Sequence, residues 1–542
     1  MAGVARATPV NKAVAAAIAT FDVPRGTSKV AILPGEMNTS TMHLNEHITL
    51  AIKPRANLLA FIALGALLLR LLNLGGPALW YDESGSAWMA SLPFARMLAA
   101  TAGDTHPPFY FVLLWVWVRA FGVDEFSLRL PSVIFSVLSI VMVAAIGERL
   151  KFYRGATLLA AALMAVLPSQ LHYAQETRMY ALFQFEFLLG VWAVLGRRWW
   201  LMCIALAAML WTHNYGLLYF PVLAAIGSWQ ARLQCEEENL PVLTSWPLKR
   251  WSMSCIVAAT AWLPWLSVLV TQMRTMADGY WIQSVTPGAA LYPFYFLAWG
   301  FSSTETTQIH AALIVFGVIS FALVKAARER HRRALILAAA ALAPWVLAII
   351  ISLAWRPMLL FRGLVPSTGL LCLLVAWALT YDTSRFARWA VTFAAVPLLA
   401  VSVMSYYVNI GNQKGGALPV IATIKWQPGD VIYHVNDGSL MAFRWYTPRE
   451  WPQYIMPRDW RNLGALSDET RSAMGFNVEP LSDIPSWHRA WLIYSASPTT
   501  ATAEDAAMQR LLAHYLHTTV MDTVTDVIHQ AVYLLWNETR SP

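Results

Sequence analysis

The chain has 542 residues, of which 57% are hydrophobic and 13% charged, with a mean hydropathy of +0.48. A soluble globular chain carries about 25% charged residues, so this composition excludes one and points to a membrane protein. The net charge of +8 would suit nucleic acid, but the basic residues stand in short loops between apolar runs, where they set topology; no nucleic-acid partner is expected.

Residues 1–56 are mildly polar, lack a cleavable signal peptide of the usual form and read as a cytoplasmic tail. From Asn57 to Tyr407, apolar runs of about 16–22 residues recur, each long enough to cross a bilayer core. The predicted spans, about eleven, lie near 57–74, 131–148, 155–170, 178–195, 199–213, 215–230, 251–272, 310–327, 334–354, 363–380 and 388–407. Many of the 26 Trp residues stand at their ends, as in interfacial belts. The basic loops Lys151–Arg154, Arg197–Arg198, Lys249–Arg250, Lys325–Arg333 and Arg385–Arg388 all face the cytoplasm only if 107–121 does not cross. That stretch is short, aromatic and led by Pro107-Pro108. It is predicted to lie on or dip into the outer leaflet, and 291–302 likewise. A full crossing at 107–121 would instead put Lys151–Arg154 outside.

Counting on this basis gives an inside N-terminus, a large outside loop 75–130 and an outside segment 408–542. The last segment has no span. Residues 430–435, 490–495 and 530–536 read as strands, and 503–518 as an amphipathic helix. The expected fold is a polytopic α-helical membrane bundle over 57–407 with a small external α/β domain over 408–542, in an inner or plasma membrane.

Four cysteines, Cys203, Cys235, Cys255 and Cys372, show no metal-ligand spacing, and neither a disulfide nor a zinc site is expected. The polar candidates cluster at predicted outer span ends. Asp82 and Glu83 open the first outside loop; two carboxylates there are costly near lipid unless hydrated or paired, although either could cap a helix over 84–100. His106 precedes the rigid Pro107-Pro108 turn, and Arg129 stands at the mouth of the next span, where it could also simply snorkel. Glu176 and Arg178 lie in a polar connector, and Arg356 and Arg362 in another. Arginine on the outer side runs against the topology rule, and a guanidinium there suits a lipid phosphate; binding anionic headgroups without catalysis is the plainer alternative. Glu186 lies inside a predicted span, and His213-Asn214-Tyr215 ends another. An intramembrane Glu could serve a transporter as a proton relay.

The order Asp82-Glu83, His106-Pro107-Pro108, then Phe126-Ser127-Leu128-Arg129-Leu130-Pro131-Ser132, resembles the GT-C glycosyltransferases. The nearest types are protein mannosyltransferases that use dolichyl-phosphate mannose and bacterial transferases that add aminoarabinose to lipid A. The stretch Tyr173–Tyr180 (YAQETRMY) is similar to their broad bacterial, family 39-like branch. The resemblance implies inverting transfer from a polyprenyl-phosphate sugar to a hydroxyl acceptor on a lipid, glycan or protein, at the outer membrane face. It implies Asp82 as base with Glu83 beside it, and substrate contacts from His106, Arg129, Glu176, Arg178 and Arg362. Arg362 is followed by Gly363, where family members often carry Tyr. No cofactor is required, although the acidic pair could hold a divalent cation through oxygen ligands. The competing expectations are a secondary transporter or flippase using Glu186 and a non-catalytic scaffold for the C-terminal segment. Convergence of Asp82, Glu83, His106, Arg178 and Arg362 at one outward site would separate them.

Overall fold

The structure, a computed structural model, describes residues 57–242, 244–275, 282, 284–286, 294–295, 297, 305–414, 417–434, 437–455, 468–474, 490–496, 517–524 and 529–536. The expected tail 1–56, nearly all of 291–302 and most of the expected helix 503–518 lie outside these residues.

The described residues open with α1 (Asn57–Leu71). The loop predicted over 75–130 is itself helical: α2 (Tyr81–Ser91), α3 (Phe94–Gly103) and α4 (Phe109–Phe121). Pro93 separates the first two, so the helix expected over 84–100 is broken there. α4 has 13 residues, about 20 Å at 1.5 Å per residue, against a hydrocarbon core of about 30 Å. α5 (Glu125–Arg149) starts earlier than the expected span because Asp124 caps it, accepting from the Ser127 amide at 3.0 Å. Arg129 is thereby inside the helix rather than in the loop before it.

The bundle continues through α6 (Arg154–Val166), α7 (Pro168–Ala174), α8 (Tyr180–Leu195), α9 (Trp199–Thr212), α10 (Gly216–Glu237), α11 (Trp246–Thr275), α12 (Glu305–Arg328) and α13 (Arg332–Ala354). A 3-10 turn, Phe361–Ser367, leads into α14 (Thr368–Thr380), and α15 (Arg385–Lys414) follows. Among the described residues six helices are long and apolar enough to cross a membrane, or seven if α6 and α7, bent by 60° at Pro168, form one span. About eleven were expected from apolar runs alone. Part of the difference lies in α8 and α9, which have 16 and 14 residues and are largely buried among their neighbours. A helix apolar all round is what either lipid or a protein core selects. α15 faces outward instead: Phe386, Phe393 and Val408 are 84%, 72% and 74% exposed, as side chains against lipid would be.

After α16 (Ala417–Thr423) the chain alternates strand and helix: β1 (Val431–His434), α17 (Asp437–Tyr446), β2 (Gln453–Ile455), α18 (Asp468–Met474), β3 (Ala490–Ala496), β4 (His517–Val524) and β5 (His529–Trp536). The sheet order is β2-β1-β3-β5-β4. β1 pairs parallel with β2 and β3, and β5 pairs antiparallel with β3 and β4. The three strands expected near 431, 490 and 530 are present; β2 and β4 were not foreseen. Ile432, Phe443, Trp491 and Ile493 form the core of this α/β segment with Val420 of α16. α17 packs on α2 and α18 on α3, so the segment sits against the helices that hold the polar candidates.

Candidate active site

The site is built on the first turn of α2. Trp80 precedes the helix in extended conformation, and Asp82 and Glu83 occupy its first turn, where the positive end of the helix dipole favours carboxylates. Successive helical residues point about 100° apart, and the two acids accordingly face different surroundings. Glu83 is completely buried and Asp82 is half-buried.

The Asp82 side is a carboxylate between two guanidiniums. Arg362 Nη1 donates to Asp82 Oδ2 at 2.7 Å, and Arg178 Nε lies 4.0 Å from the same oxygen. Arg178 Nη1 also reaches the Asp82 carbonyl and Ser86 Oγ, both at 3.4 Å. His106 stands beside this group with its ring centroid 4.9 Å from that of His213, which stacks on Phe183. Asn214 Nδ2 donates to the Thr105 carbonyl at 2.7 Å and ties the two histidine loops together. Burial, then the charges of Arg178 and Arg362, pushes His213 down to about 3. Burial, then His213 and the same arginines, holds His106 well below the usual imidazole range. Both rings are therefore neutral hydrogen-bonding groups at ordinary pH. Asp104 is raised to about 6 by burial, against the pull of Arg178.

The Glu83 side is a closed ion-pair network. Arg129 Nε and Nη2 bind the two Glu83 oxygens at 2.8 and 2.7 Å, and Lys414 Nζ and the Thr177 amide bind Oε1 at 3.1 and 2.9 Å. Burial alone would raise the Glu83 carboxyl, but Arg129 and Lys414 outweigh it and hold it at about 2. Arg129 spends its remaining donors on the carbonyls of Leu74, Pro77 and Ala78. Lys414 also donates to the Gln175 carbonyl, and Tyr406 donates to Gln175 Oε1 at 2.7 Å. Glu176 joins from the other side: Oε1 accepts from Trp80 Nε1 at 3.1 Å, and Oε2 lies 4.0 Å from His172 Nε2. Its backbone carbonyl accepts from Ser132 Oγ at 2.6 Å. Burial pushes the Glu176 carboxyl upward and the Lys414 amine downward.

Arg362 is held by its 3-10 turn. The Tyr215 hydroxyl donates to the Met358 carbonyl and accepts from the Leu360 amide, and Tyr219 reaches the Gly363 carbonyl at 3.3 Å. A Cβ at residue 363 would stand 2.5 Å from the Tyr215 ring, so the glycine lets the ring lie flat on the turn. Arg356 is directed to the Met273 carbonyl instead. Glu186, deep in α8, accepts from Thr212 at 2.8 Å.

Asp82, Arg178 and Arg362 are thus in contact, His106 packs against His213 within the field of both arginines, Glu83 and Arg129 form the layer behind α2, and Glu176 is linked to it through Trp80. Sequence reasoning missed Lys414, Gln175, Tyr406 and His172. Lys414 had a readable signal: on the expected topology, a lone lysine beyond the last apolar run is the same exception to the charge rule as Arg178. Among the described residues no group of three or more His, Cys, Asp or Glu side chains is arranged around a common point for a metal ion.

Fold and site together define a multispan membrane protein with a carboxylate–guanidinium centre on short helices that lead into the bundle. No family model matches the chain, and no curated protein does. The crystal structure of ArnT from Cupriavidus metallidurans bound to undecaprenyl phosphate is similar at 14% identity and a TM-score of 0.51, over 88% of this chain and 98% of that one. The Archaeoglobus fulgidus oligosaccharyltransferase in its apo form follows at 15% identity and 0.41, over 72% and 63%. The Saccharomyces cerevisiae protein O-mannosyltransferase Pmt1-Pmt2 complex bound to the sugar donor gives 14% and 0.33, over 45% and 36%. At this identity the likeness to the ArnT structure shows a shared membrane fold.

Proposed function

We propose that this protein is an inverting glycosyltransferase that moves a sugar from a polyprenyl-phosphate donor to a hydroxyl acceptor at the outer face of the membrane. The observation that carries this reading is Asp82, half-buried, 2.7 Å from Arg362 and 4.0 Å from Arg178. A glycosyl phosphate already has a stable leaving group, so the reaction needs a base for the acceptor and cations for the departing phosphate. The acceptor oxygen attacks the anomeric carbon opposite the phosphate, the bond from that carbon to the phosphate oxygen breaks, and the acceptor proton passes to Asp82. Polyprenyl phosphate leaves with the electron pair, its charge met by Arg178 and Arg362. A positioned base contributes about 10²–10⁴ in rate, and preorganised cations often contribute more. His106 supplies a neutral hydrogen bond beside the phosphate.

Glu83 has a different part in this reading. Both its oxygens face Arg129, Lys414 and the Thr177 amide, so it orients α2 rather than taking the proton, and Arg129 acts with it. The same pairing leaves Asp82 and Glu83 facing different partners. Glu176 fixes Trp80 at the start of the helix.

The test is turnover by the purified protein in lipid nanodiscs with a panel of polyprenyl-phosphate sugars and acceptors of lipid, glycan and peptide type. Transfer from one donor, abolished in Asp82→Asn, supports the reading. Equal turnover by Asp82→Asn sinks it.

A further inference from the structure

The helix that carries Asp82 is held from two sides, and one side belongs to the chain beyond the last long apolar helix. α2 has 11 residues, and a helix that short takes its position from packing rather than from its own stability. Lys414, at the end of α15 and 1% exposed, reaches Glu83 at 3.1 Å and the Gln175 carbonyl. α17 lies along the other side of α2. The Met441 methyl stands 2.9 Å from where a Cβ on Gly85 would be, so the missing side chain lets the helices approach. Trp88 Nε1 donates to the Met441 carbonyl at 3.1 Å, and its ring meets Trp445 edge-on at 5.4 Å.

Tyr446 makes the closest link. Its hydroxyl accepts from the Leu79 amide at 2.8 Å and donates to Glu125 Oε1 at 2.7 Å. One phenol therefore bridges the turn before α2 to the first residue of α5, the helix that presents Arg129. The Leu79 amide precedes α2 and has no helical acceptor of its own, so Tyr446 supplies one.

We infer that Tyr446 and Lys414 are positioning residues: the segment from Lys414 to Tyr446 sets where the first turn of α2 sits, and so where the Asp82 carboxylate points. Neither side chain reaches Asp82; each acts through the backbone or through Glu83. This inference rests on the reading of Asp82 as base, and it makes the α/β segment part of the catalytic machinery rather than an appendage.

The experiment uses the full chain in nanodiscs, with Tyr446→Phe, Lys414→Met and Lys414→Arg. Hydrogen–deuterium exchange over 78–91 should rise in Tyr446→Phe, because the Leu79 amide loses its acceptor; unchanged exchange there overturns the inference whatever the activity. In turnover, Tyr446→Phe and Lys414→Met should lower kcat about 10- to 100-fold, the cost of a small misplacement, with donor KM within about twofold. Lys414→Arg, which keeps the charge, should retain most of kcat. Wild-type kcat in both Tyr446→Phe and Lys414→Met, or a loss confined to donor KM, refutes a positioning role. Absence of turnover with every donor would instead count against the transferase reading, while the exchange result still decides whether Tyr446 holds α2.

Discussion

Glu83→Gln distinguishes a brace from a base. The carboxylate takes two hydrogen bonds from Arg129 at 2.8 and 2.7 Å, one from Lys414 at 3.1 Å and one from the Thr177 amide at 2.9 Å. Glutamine keeps the shape, removes the charge and turns an NH₂ group toward a cation. Breaking a buried ion pair by removing one partner costs about 3–5 kcal/mol. Arg129 keeps the Leu74, Pro77 and Ala78 carbonyls and Lys414 keeps the Gln175 carbonyl, so the lower end, about 3 kcal/mol, is expected. That is about a 100-fold shift in the folding equilibrium. Thermal unfolding in nanodiscs reads it, with turnover measured well below the midpoint. Adding Arg129→Met should deepen the loss, because the Leu74, Pro77 and Ala78 carbonyls then lose their donor as well. The pH dependence has a defined sign. Glu83 is held down to about 2 from 4.5, so its contribution is complete above about 4.5 and is lost as pH falls toward 2. Unchanged unfolding together with abolished turnover in Glu83→Gln would refute this reasoning and make Glu83 the base.

Asp82→Asn should lower kcat by about 10²–10⁴ while unfolding stays near wild type, checked by single-turnover kinetics at saturating donor. Arg178→Ala should raise donor KM or Kd about 10- to 100-fold, the worth of a hydrogen bond to a charged group, read by donor titration. Gly363→Ala should destabilise by about 1–3 kcal/mol through overpacking, because its Cβ meets the Tyr215 ring at 2.5 Å; in a Tyr215→Ala background the same change should cost little, as thermal unfolding would show. With the native cysteines replaced by Ala, Ser91→Cys and Glu450→Cys should react with an impermeant thiol reagent from outside and Ala327→Cys should not, all three positions being exposed; outside labelling of Ala327→Cys would invert the topology.

Much of this protein is legible in its sequence. Apolar runs and low charge determine a membrane bundle, and strand periodicity after residue 408 marks an α/β segment. Of the three arginines expected to run against the positive-inside pattern, Arg178 and Arg362 meet at Asp82, while Arg356 is directed to the Met273 carbonyl. The tertiary structure alone decided three things. It decided how many helices have the length of a crossing, because an apolar run does not record where a helix starts and stops: α8 and α9 have 16 and 14 residues. It decided the division of labour between Asp82 and Glu83, because neighbours in sequence turn about 100° apart on a helix and only the packing says which direction is closed. It brought in Lys414, 331 residues from its partner Glu83, because a buried charge is matched by whatever opposite charge the fold carries to it, and no local pattern records that distance.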